Sequence, residues 1–235
     1  MTKRKLRKIL QKHMKWLESD KIVGRCADFR NANLTGVDFS GFDLRVADFR
    51  NANLIGAEFR DADLRDTDFK NANFRNANFR NASLTGADFG DGDLMFAGFR
   101  NAILRGADLT GVDFRYADLS GADLRNANLT GADFKFTDLR YANLGDVDFR
   151  GVDLMGADFR NANLAGADFR GVNLTGSDFR DAYFGDVDLR GADLTVADFR
   201  GTNLMSADLR GADLMFAYLV GADLKDAEFR GTVLL

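Results

Sequence analysis

The chain is organised around Ala27-Asp28-Phe29-Arg30-Asn31, a five-residue unit that recurs without insertion or deletion through the rest of the sequence. Every fifth residue from Phe29 to Leu234 is Phe or Leu. The residue two places earlier is small and usually Ala, the residue one place earlier is mostly Asp or Asn, and the residue two places later is mostly Gly, Asn or Asp. Such a fixed period predicts units that bury their apolar side chains only by stacking on one another.

The spacing within one unit predicts a very short strand followed by a turn. The small residue and the Phe or Leu are two apart, so both face one side of an extended chain, and the Asp or Asn between them faces the other. The Gly, Asn or Asp that follows tolerates positive φ and indicates a corner. A helical repeat is disfavoured, because a spacing of five rotates successive Phe and Leu positions by about 500° and spreads them over the whole helix surface.

The order of Phe and Leu favours four units per coil. Phe29, Phe49 and Phe69 are twenty residues apart. A coil of twenty residues stacks them on one another, whereas a coil of fifteen would stack Phe on Leu. With parallel rungs about 4.8 Å apart, the repeats would form about ten coils and a rod about 50 Å long. The usual chirality of crossover connections predicts a right-handed coil.

The pattern Ala-(Asp/Asn)-(Leu/Phe)-x-x resembles that of the pentapeptide-repeat family over residues 27–235. This resemblance implies an all-β solenoid, specifically a right-handed quadrilateral parallel β-helix. The preceding residues 1–26 are similar to the basic helix and linker found before the repeats in many bacterial members. The residues that carry this second likeness are Leu10, His13, Trp16 and Leu17, followed by Gly24-Arg25-Cys26-Ala27.

The opening segment predicts an amphipathic helix from Lys3 to Glu18 that caps the open end of the first coil. The side chains expected on its capping face are Leu6, Ile9, Leu10, Met14 and Leu17. Trp16 lies off this face and is expected to pack on Phe42. As an alternative, the basic residues within 3–15 would contact anionic lipid or nucleic acid. Direct nucleic-acid binding by other parts of the chain is not expected.

Charge is unevenly distributed along the chain. The net charge is −4, but residues 1–26 hold nine Lys/Arg and two acidic residues, a balance of +7 that leaves −11 for the repeats. Cys26 is the single cysteine, which excludes a disulfide framework within the chain. The sequence contains no apolar run long enough to span a bilayer, and charged residues stand where a signal peptide would be apolar. We therefore expect no transmembrane segment and a cytoplasmic protein.

The sequence predicts no catalytic, metal or cofactor site. His13 is the only histidine and precedes the repeats, so neither a Ser-His-Asp nor a Cys-His pair can form within them. Carboxylates recur as regular series with no pair set apart for acid–base chemistry. We expect a protein that is not an enzyme.

Two outward features of the rod are candidate binding surfaces. One is a series of arginines at twenty-residue spacing, which we expect to pair with neighbouring Asp residues; as an alternative, they would bind phosphates or an acidic partner. Its members are Arg150, Arg170, Arg190, Arg210 and Arg230. The other is an apolar ridge centred on aromatic corner residues of three successive coils, which would be either a partner-binding site or ring stacking that stiffens the corner. The ridge residues are Met95, Phe96, Tyr116, Phe136, Tyr141 and Met155.

The last coil is also apolar and invites association, because its strand edges would be unpaired. The residues in question are Phe216, Tyr218, Leu219, Val220, Val233, Leu234 and Leu235. We expect two rods to dock through these ends as a homodimer, and the resemblance supports this because some family members dimerise in that way.

Three functions remain open from the sequence. The first is a non-catalytic scaffold that binds an unidentified protein through its faces and ends. The second is a DNA mimic that binds, inhibits or protects a type II topoisomerase (gyrase), which the resemblance implies for some members and which an acidic rod suits. The Arg series interrupt that acidic surface, and projecting loops typical of several such members are absent from the sequence. The third is an effector tethered to a membrane or to nucleic acid by its basic helix. The unbroken regularity also permits a consensus-like designed chain, although the scattered Tyr, Met and Gly argue against one.

Overall fold

The structure is a computed structural model and describes residues 1–234. Its one α-helix among these residues, α1, spans Lys3–Glu18. The helix begins where the Thr2 hydroxyl accepts a hydrogen bond from the Lys5 N–H at 3.3 Å. It ends at Ser19, whose N–H donates to the Lys15 carbonyl at 3.2 Å. Residues 19–26 connect the helix to the repeats, which occupy residues 27–234.

The repeats form a solenoid whose bridges are all parallel and join residues twenty positions apart, from Asp28 with Asp48 to Asp213 with Val233. This register is the one expected from the Phe spacing. Each side of a coil forms a bridge at a single residue, in most units Asp or Asn, so residues 1–234 contain isolated bridges rather than longer strands. Both backbone groups beside each bridge are used: the Phe29 N–H donates to Asp48 at 2.7 Å, and the Asp48 N–H donates to Ala27 at 2.9 Å.

The turn between two units is the same at each corner. The Ala32 N–H donates to the Phe29 carbonyl at 3.0 Å, which closes a four-residue turn. The third residue of that turn, Asn31, has a φ of 55°. Every fifth residue from Asn31 to Gly231 likewise has positive φ. The Gly, Asn and Asp residues of the repeat are therefore explained by the backbone conformation of the corner.

The core is a set of stacked side-chain columns inside the coils. The rings of Phe29 and Phe49 stack with centroids 4.7 Å apart, and Phe49 continues to Phe69 at 5.1 Å. Phe39 lies two units along the coil, in the column on the opposite side, and meets Phe29 edge-on across the interior at 5.6 Å. The Ala residues of the units are buried beside these rings, where only a small side chain leaves room for them.

Helix α1 covers the start of the first coil. Leu10 and His13 are buried, and Leu6 and Ile9 pack against the core. The backbone nitrogen of Met1 donates to the Asn33 carbonyl at 3.0 Å. At the other end of the helix, the Ala27 N–H donates to His13 Nδ1 at 3.1 Å. The helix thus provides partners for backbone groups that a coil below the first would otherwise satisfy.

Two expectations about this helix need correction. Met14 is 37% exposed rather than part of the covering face. Met14 directly follows the buried His13, and because successive helix residues point about 100° apart, its side chain turns away from the coil. Leu17, which was expected on the same face, is half-buried. Trp16 stacks on His13 with centroids 5.8 Å apart instead of on Phe42.

Candidate interaction surfaces

Three rings form a continuous stack on the outside of one corner, here called the aromatic column: Phe96, Tyr116 and Phe136. The centroids are 5.2 Å apart between Phe96 and Tyr116 and 5.3 Å apart between Tyr116 and Phe136, with both pairs within 10° of parallel. The three side chains are 52%, 49% and 45% exposed. About half of the surface of each of these residues is therefore available to a partner.

The backbone under the aromatic column disfavours these residues. Phe96, Tyr116 and Phe136 have φ values of 61°, 61° and 57°. At such left-handed positions a bulky side chain costs about 1–2 kcal/mol relative to glycine. The same corner carries Gly36 and Gly56 in earlier coils, so the fold itself does not require a ring there.

Behind the aromatic column, the core Phe residues lie on a different side of the coil from most of those in the earlier coils. Most large rings lie in two columns, but between residues 104 and 144 those columns contain Leu, as at Leu119 and Leu139. The rings move to the neighbouring column, where Phe114 and Phe134 are fully buried with centroids 4.8 Å apart. The exchange retains large side chains in the interior of these coils, and it places the buried and the exposed rings beside one corner.

The flank of the column combines methionines with paired charges. Met95 and Met155 lie one residue before the corner positions of their coils, and the Arg115 guanidinium contacts Met95 Sδ at 3.6 Å. Arg115 also binds Asp113 at 2.6 Å, and this carboxylate raises the pKa of the arginine. Lys135 pairs with two carboxylates at 3.2 Å and 2.9 Å. The column is an apolar strip beside a nearly neutral polar edge.

Tyr141 is not part of the aromatic column, which corrects the sequence-based grouping. It lies five residues after Phe136 and therefore at the next corner of the coil. Its 65% exposed ring borders a groove with Arg100, Ser120 and Gly121. It is an isolated exposed aromatic on a different edge of the rod.

The arginine series is built into a network of ion pairs. Arg150 binds Asp148 of its own coil at 2.6 Å and Asp168 of the next coil at 3.4 Å. Arg170, Arg190 and Arg210 repeat this arrangement, and only Arg230 among the five has no ion-pair partner within residues 1–234. The hydrogen bond from Arg170 lowers the pKa of Asp168. Since two carboxylates flank each paired guanidinium, this face has little capacity left for an added anion.

The exposed apolar residues near the C-terminus lie mostly on the outer surface of the last coil, whereas they were expected at its open end. Phe216, Tyr218 and Val220 are 62%, 53% and 79% exposed and occupy corner and outward positions of the wall. Leu219 points inward and packs against the core. Val233 and Leu234 are 43% and 52% exposed, and Leu235 lies outside the described residues.

Two features were not anticipated from the sequence. Gly145, Ala165 and Gly185 follow one another up one wall and leave a groove bordered by Tyr183, which the twenty-residue register could have indicated. Ile22, in the loop after α1, is 84% exposed and Val23 is 58% exposed. Within residues 1–234 no three His, Cys, Asp or Glu side chains are grouped to hold a metal ion. The helix in this part of the chain is too short and too polar to cross a bilayer.

The chain is similar to proteins of known structure. HetL, a pentapeptide repeat protein from the cyanobacterium Nostoc sp. strain PCC 7120, is 32% identical with a TM-score of 0.63, over 94% of each chain. QnrB1, a plasmid-mediated fluoroquinolone resistance protein, is 22% identical with a TM-score of 0.29, over 86% of this chain and 91% of its own. A comparison with curated protein sequences gave no match.

The family model described as "Pentapeptide repeats" matches this sequence in eight copies. The matched segments run from residue 27 to residue 234 with overlaps between neighbours. The match covers the whole solenoid, in which the period of the sequence and the twenty-residue register of the bridges agree. The chain belongs to the pentapeptide repeat family.

Proposed function

We propose that this protein is a non-catalytic scaffold that binds a protein partner through the aromatic column. In this proposal the scaffold is a right-handed quadrilateral β-helix of about ten coils, with successive coils about 4.8 Å apart. The observation that carries the proposal is the presence of three exposed rings at left-handed corners, Phe96, Tyr116 and Phe136.

The chemistry of the column suits a protein contact. Aromatic side chains dominate the energetics of many interfaces because they bury a large area at a small entropic cost. The stack is already ordered by ring–ring contacts at 5.2 Å and 5.3 Å, so less freedom is lost on binding. Flexible Met95 and Met155 beside it can adapt to a partner surface.

The likeness to HetL supports a regulatory scaffold. HetL is described as involved in the regulation of heterocyst differentiation, and its chain matches this one over 94% of both. A role of that kind for this chain would be exerted by binding, in keeping with a cytoplasmic regulator. The partner is defined by its chemistry, an apolar groove or ridge with a polar rim.

The test replaces the column with the residue that the fold uses at this corner. Asn76 occupies the same corner one coil below Phe96, at a φ of 58°. The triple variant Phe96→Asn, Tyr116→Asn, Phe136→Asn should therefore keep the fold and lose the partner. The measurement is quantitative affinity purification from the source cell, followed by titration of the recovered partner with purified protein.

Tyr141→Asn is the matched control, because it removes a ring that is at least as exposed from another corner. Partner recovery should fall at least tenfold for the triple variant and remain at the wild-type level for the control. Equal recovery by all three proteins, with unchanged thermal unfolding, would refute the role of the aromatic column.

A DNA mimic that acts on gyrase is the second candidate, supported by the −11 balance of the repeats. The alternation of Asp and Arg on the walls weakens it, since Arg150 and Arg170 neutralise their neighbouring carboxylates. A gyrase supercoiling assay separates the two candidates. Inhibition or protection at micromolar protein, unchanged in the triple Asn variant, would favour the mimic over the scaffold.

A further inference from the structure

Helix α1 presents a cationic face whose side chains form no ion pair within residues 1–234. Arg4, Lys8 and Lys15 lie within about 20° of the direction opposite Leu6 on an ideal helix, and all three are exposed. Leu6 faces the core, so this stripe faces away from the repeats. Four further cations flank it: Lys3, Lys5, Arg7 and Lys12.

These seven cations differ from those of the walls. Most wall arginines are held by carboxylates 2.5–2.9 Å away, as Arg180 is by Asp178 at 2.5 Å. The cations of α1 make no ion pair with any residue in 1–234, and the first acidic residue of the helix is Glu18. Seven cations kept unpaired on one short helix indicate an anionic partner.

The helix crosses the end of the rod from one edge to another. Its start is tied to Asn33 by the Met1 nitrogen at 3.0 Å. Near its end, Leu17 and Lys21 border a groove with Val46 of a different corner. The cationic face therefore forms the tip of the rod, and the acidic walls run away from it.

An apolar loop stands beside the cations. Residues 19–23 are held by hydrogen bonds from the Lys21 N–H to Trp16 at 2.8 Å and from the Val23 N–H to the Ser19 hydroxyl at 2.8 Å. This ordered loop presents Ile22 at 84% exposure and Val23 at 58%. Protruding aliphatic side chains next to cations can enter the headgroup region of a bilayer while the cations bind lipid phosphates.

We propose that the N-terminal tip, formed by α1 and the Ile22–Val23 loop, docks the rod end-on onto an anionic membrane surface. End-on docking brings the cations to the lipid and directs the negatively charged repeats away. Repulsion from the walls is screened over a Debye length of about 8 Å, which is less than two rungs of the solenoid. A nucleic acid would bind the cations through its phosphates but would make no favourable contact with the aliphatic side chains of Ile22 and Val23.

The test is vesicle flotation of the full-length protein. Vesicles of phosphatidylcholine with phosphatidylserine should bind it, vesicles of phosphatidylcholine alone should not, and high salt should release it. Each cation contributes on the order of 1 kcal/mol near such a surface, so Arg4→Gln, Lys8→Gln, Lys15→Gln should weaken partition about 100-fold. Ile22→Ser, Val23→Ser should weaken it about tenfold or more.

The matched control removes three exposed cations elsewhere: Arg80→Gln, Arg100→Gln, Arg230→Gln. These residues also make no ion pair within residues 1–234, so the control should bind vesicles as the wild type does. Trp16 is the single tryptophan, and quenching of its fluorescence by brominated lipid should report contact of the tip. No binding to the anionic vesicles, or equal loss in the control, overturns the proposal. Tighter binding to duplex DNA that is insensitive to Ile22→Ser, Val23→Ser would assign the tip to nucleic acid instead.

Discussion

At the scale of single residues, the corner glycines are not equivalent. A β-carbon added at Gly156 would lie 2.6 Å from Cδ1 of Phe136, because that ring leans over Gly156 in the next coil. A β-carbon at Gly176, one coil further along the same corner, would meet no atom within 4 Å. Both glycines have a φ of 68°. The last ring of the aromatic column, Phe136, thus packs directly on Gly156.

This pair allows a matched prediction. Both Gly156→Ala and Gly176→Ala should lose about 1 kcal/mol from the left-handed backbone. Gly156→Ala should lose a further 1–3 kcal/mol or so, because the ring must move. Urea unfolding of the two variants measures the difference, and equal losses would show that Phe136 does not rest on Gly156.

We expect His13 to make the cap sensitive to acid. Burial lowers the pKa of His13, and Arg45 lowers it further while Asp43 opposes them. A histidine whose pKa is lowered in the folded protein contributes stability that is complete above its unfolded pKa of about 6.5 and is lost as pH falls below it. The cap should therefore loosen between about pH 7.5 and pH 5.5.

Trp16 reports this transition, since its ring lies 5.8 Å from that of His13. Thermal unfolding followed by Trp16 fluorescence should shift to lower temperature at the lower pH. His13→Gln retains a side-chain oxygen that can accept from Ala27 and should remove the shift. The same shift in His13→Gln would show that another group is responsible.

At the scale of elements, each side of the solenoid contributes one bridge and one Phe or Leu per coil, so stability depends on contacts between coils. Phe69 illustrates this point, because it stacks on Phe49 at 5.1 Å and on Phe89 at 4.8 Å. It also meets Phe59 and Phe74 edge-on at 6.1 Å and 5.1 Å. A single ring therefore joins three successive coils.

Truncation of this ring should be severe. Phe69→Ala is expected to cost about 3–5 kcal/mol, from lost transfer energy and the cavity that remains. Phe229→Ala in the last coil should cost less, since Phe229 is only half-buried. Urea unfolding measures both, and a smaller loss for Phe69→Ala would contradict the continuous core.

The ion pairs of the walls predict a second loss of stability, at a lower pH than that of the cap. The hydrogen bond from Arg30 lowers the pKa of Asp28 to about 2, and Arg150 and Arg210 lower the pKa of Asp148 and Asp208 in the same way. Carboxylates with lowered pKa values contribute stability above their unfolded pKa of about 3.9, which is lost as pH falls through the folded value. In His13→Gln, which lacks the transition of the cap, far-UV circular dichroism during urea unfolding should show a constant midpoint from about pH 7 to 5 and a decline below about pH 4. Each exposed pair contributes little, so Arg150→Gln should change the midpoint only slightly at neutral pH.

At the scale of the whole molecule, the two ends and the walls differ in chemistry. The start carries α1 with its unpaired cations, the walls carry paired charges, and the last described coil exposes Tyr218 and Val220. We propose that copies of this chain associate through that last coil. Exposed aromatic and aliphatic side chains grouped on one coil support this proposal.

The association predicts a concentration-dependent mass. Sedimentation velocity should show dimers at tens of micromolar, and Tyr218→Lys with Val220→Lys should leave monomers because like charges then face one another. Tyr141→Lys, at a distant corner, should not alter the distribution. Monomeric wild-type protein at these concentrations would contradict the proposal.

The sequence alone determined the repeat unit, the core residues, the corners and the twenty-residue register. These follow from local spacing, because a period of five with a Phe repeat of ten leaves few ways to close a coil. Pairing of the arginines with neighbouring Asp residues was the favoured prediction, with anion binding as the alternative. The positions of Met14, Trp16 and Tyr141 were not foreseen.

Only the tertiary structure decided which side chains remain available to a partner. The Phe136 ring rests on Gly156, Arg170 is held by two carboxylates, and Ile22 projects from the tip. Each of these outcomes depends on the rotamer of a side chain relative to the next coil, or on the direction in which α1 crosses the rod end. Contacts between residues distant in the chain set both, and a local pattern of five residues contains no information about them.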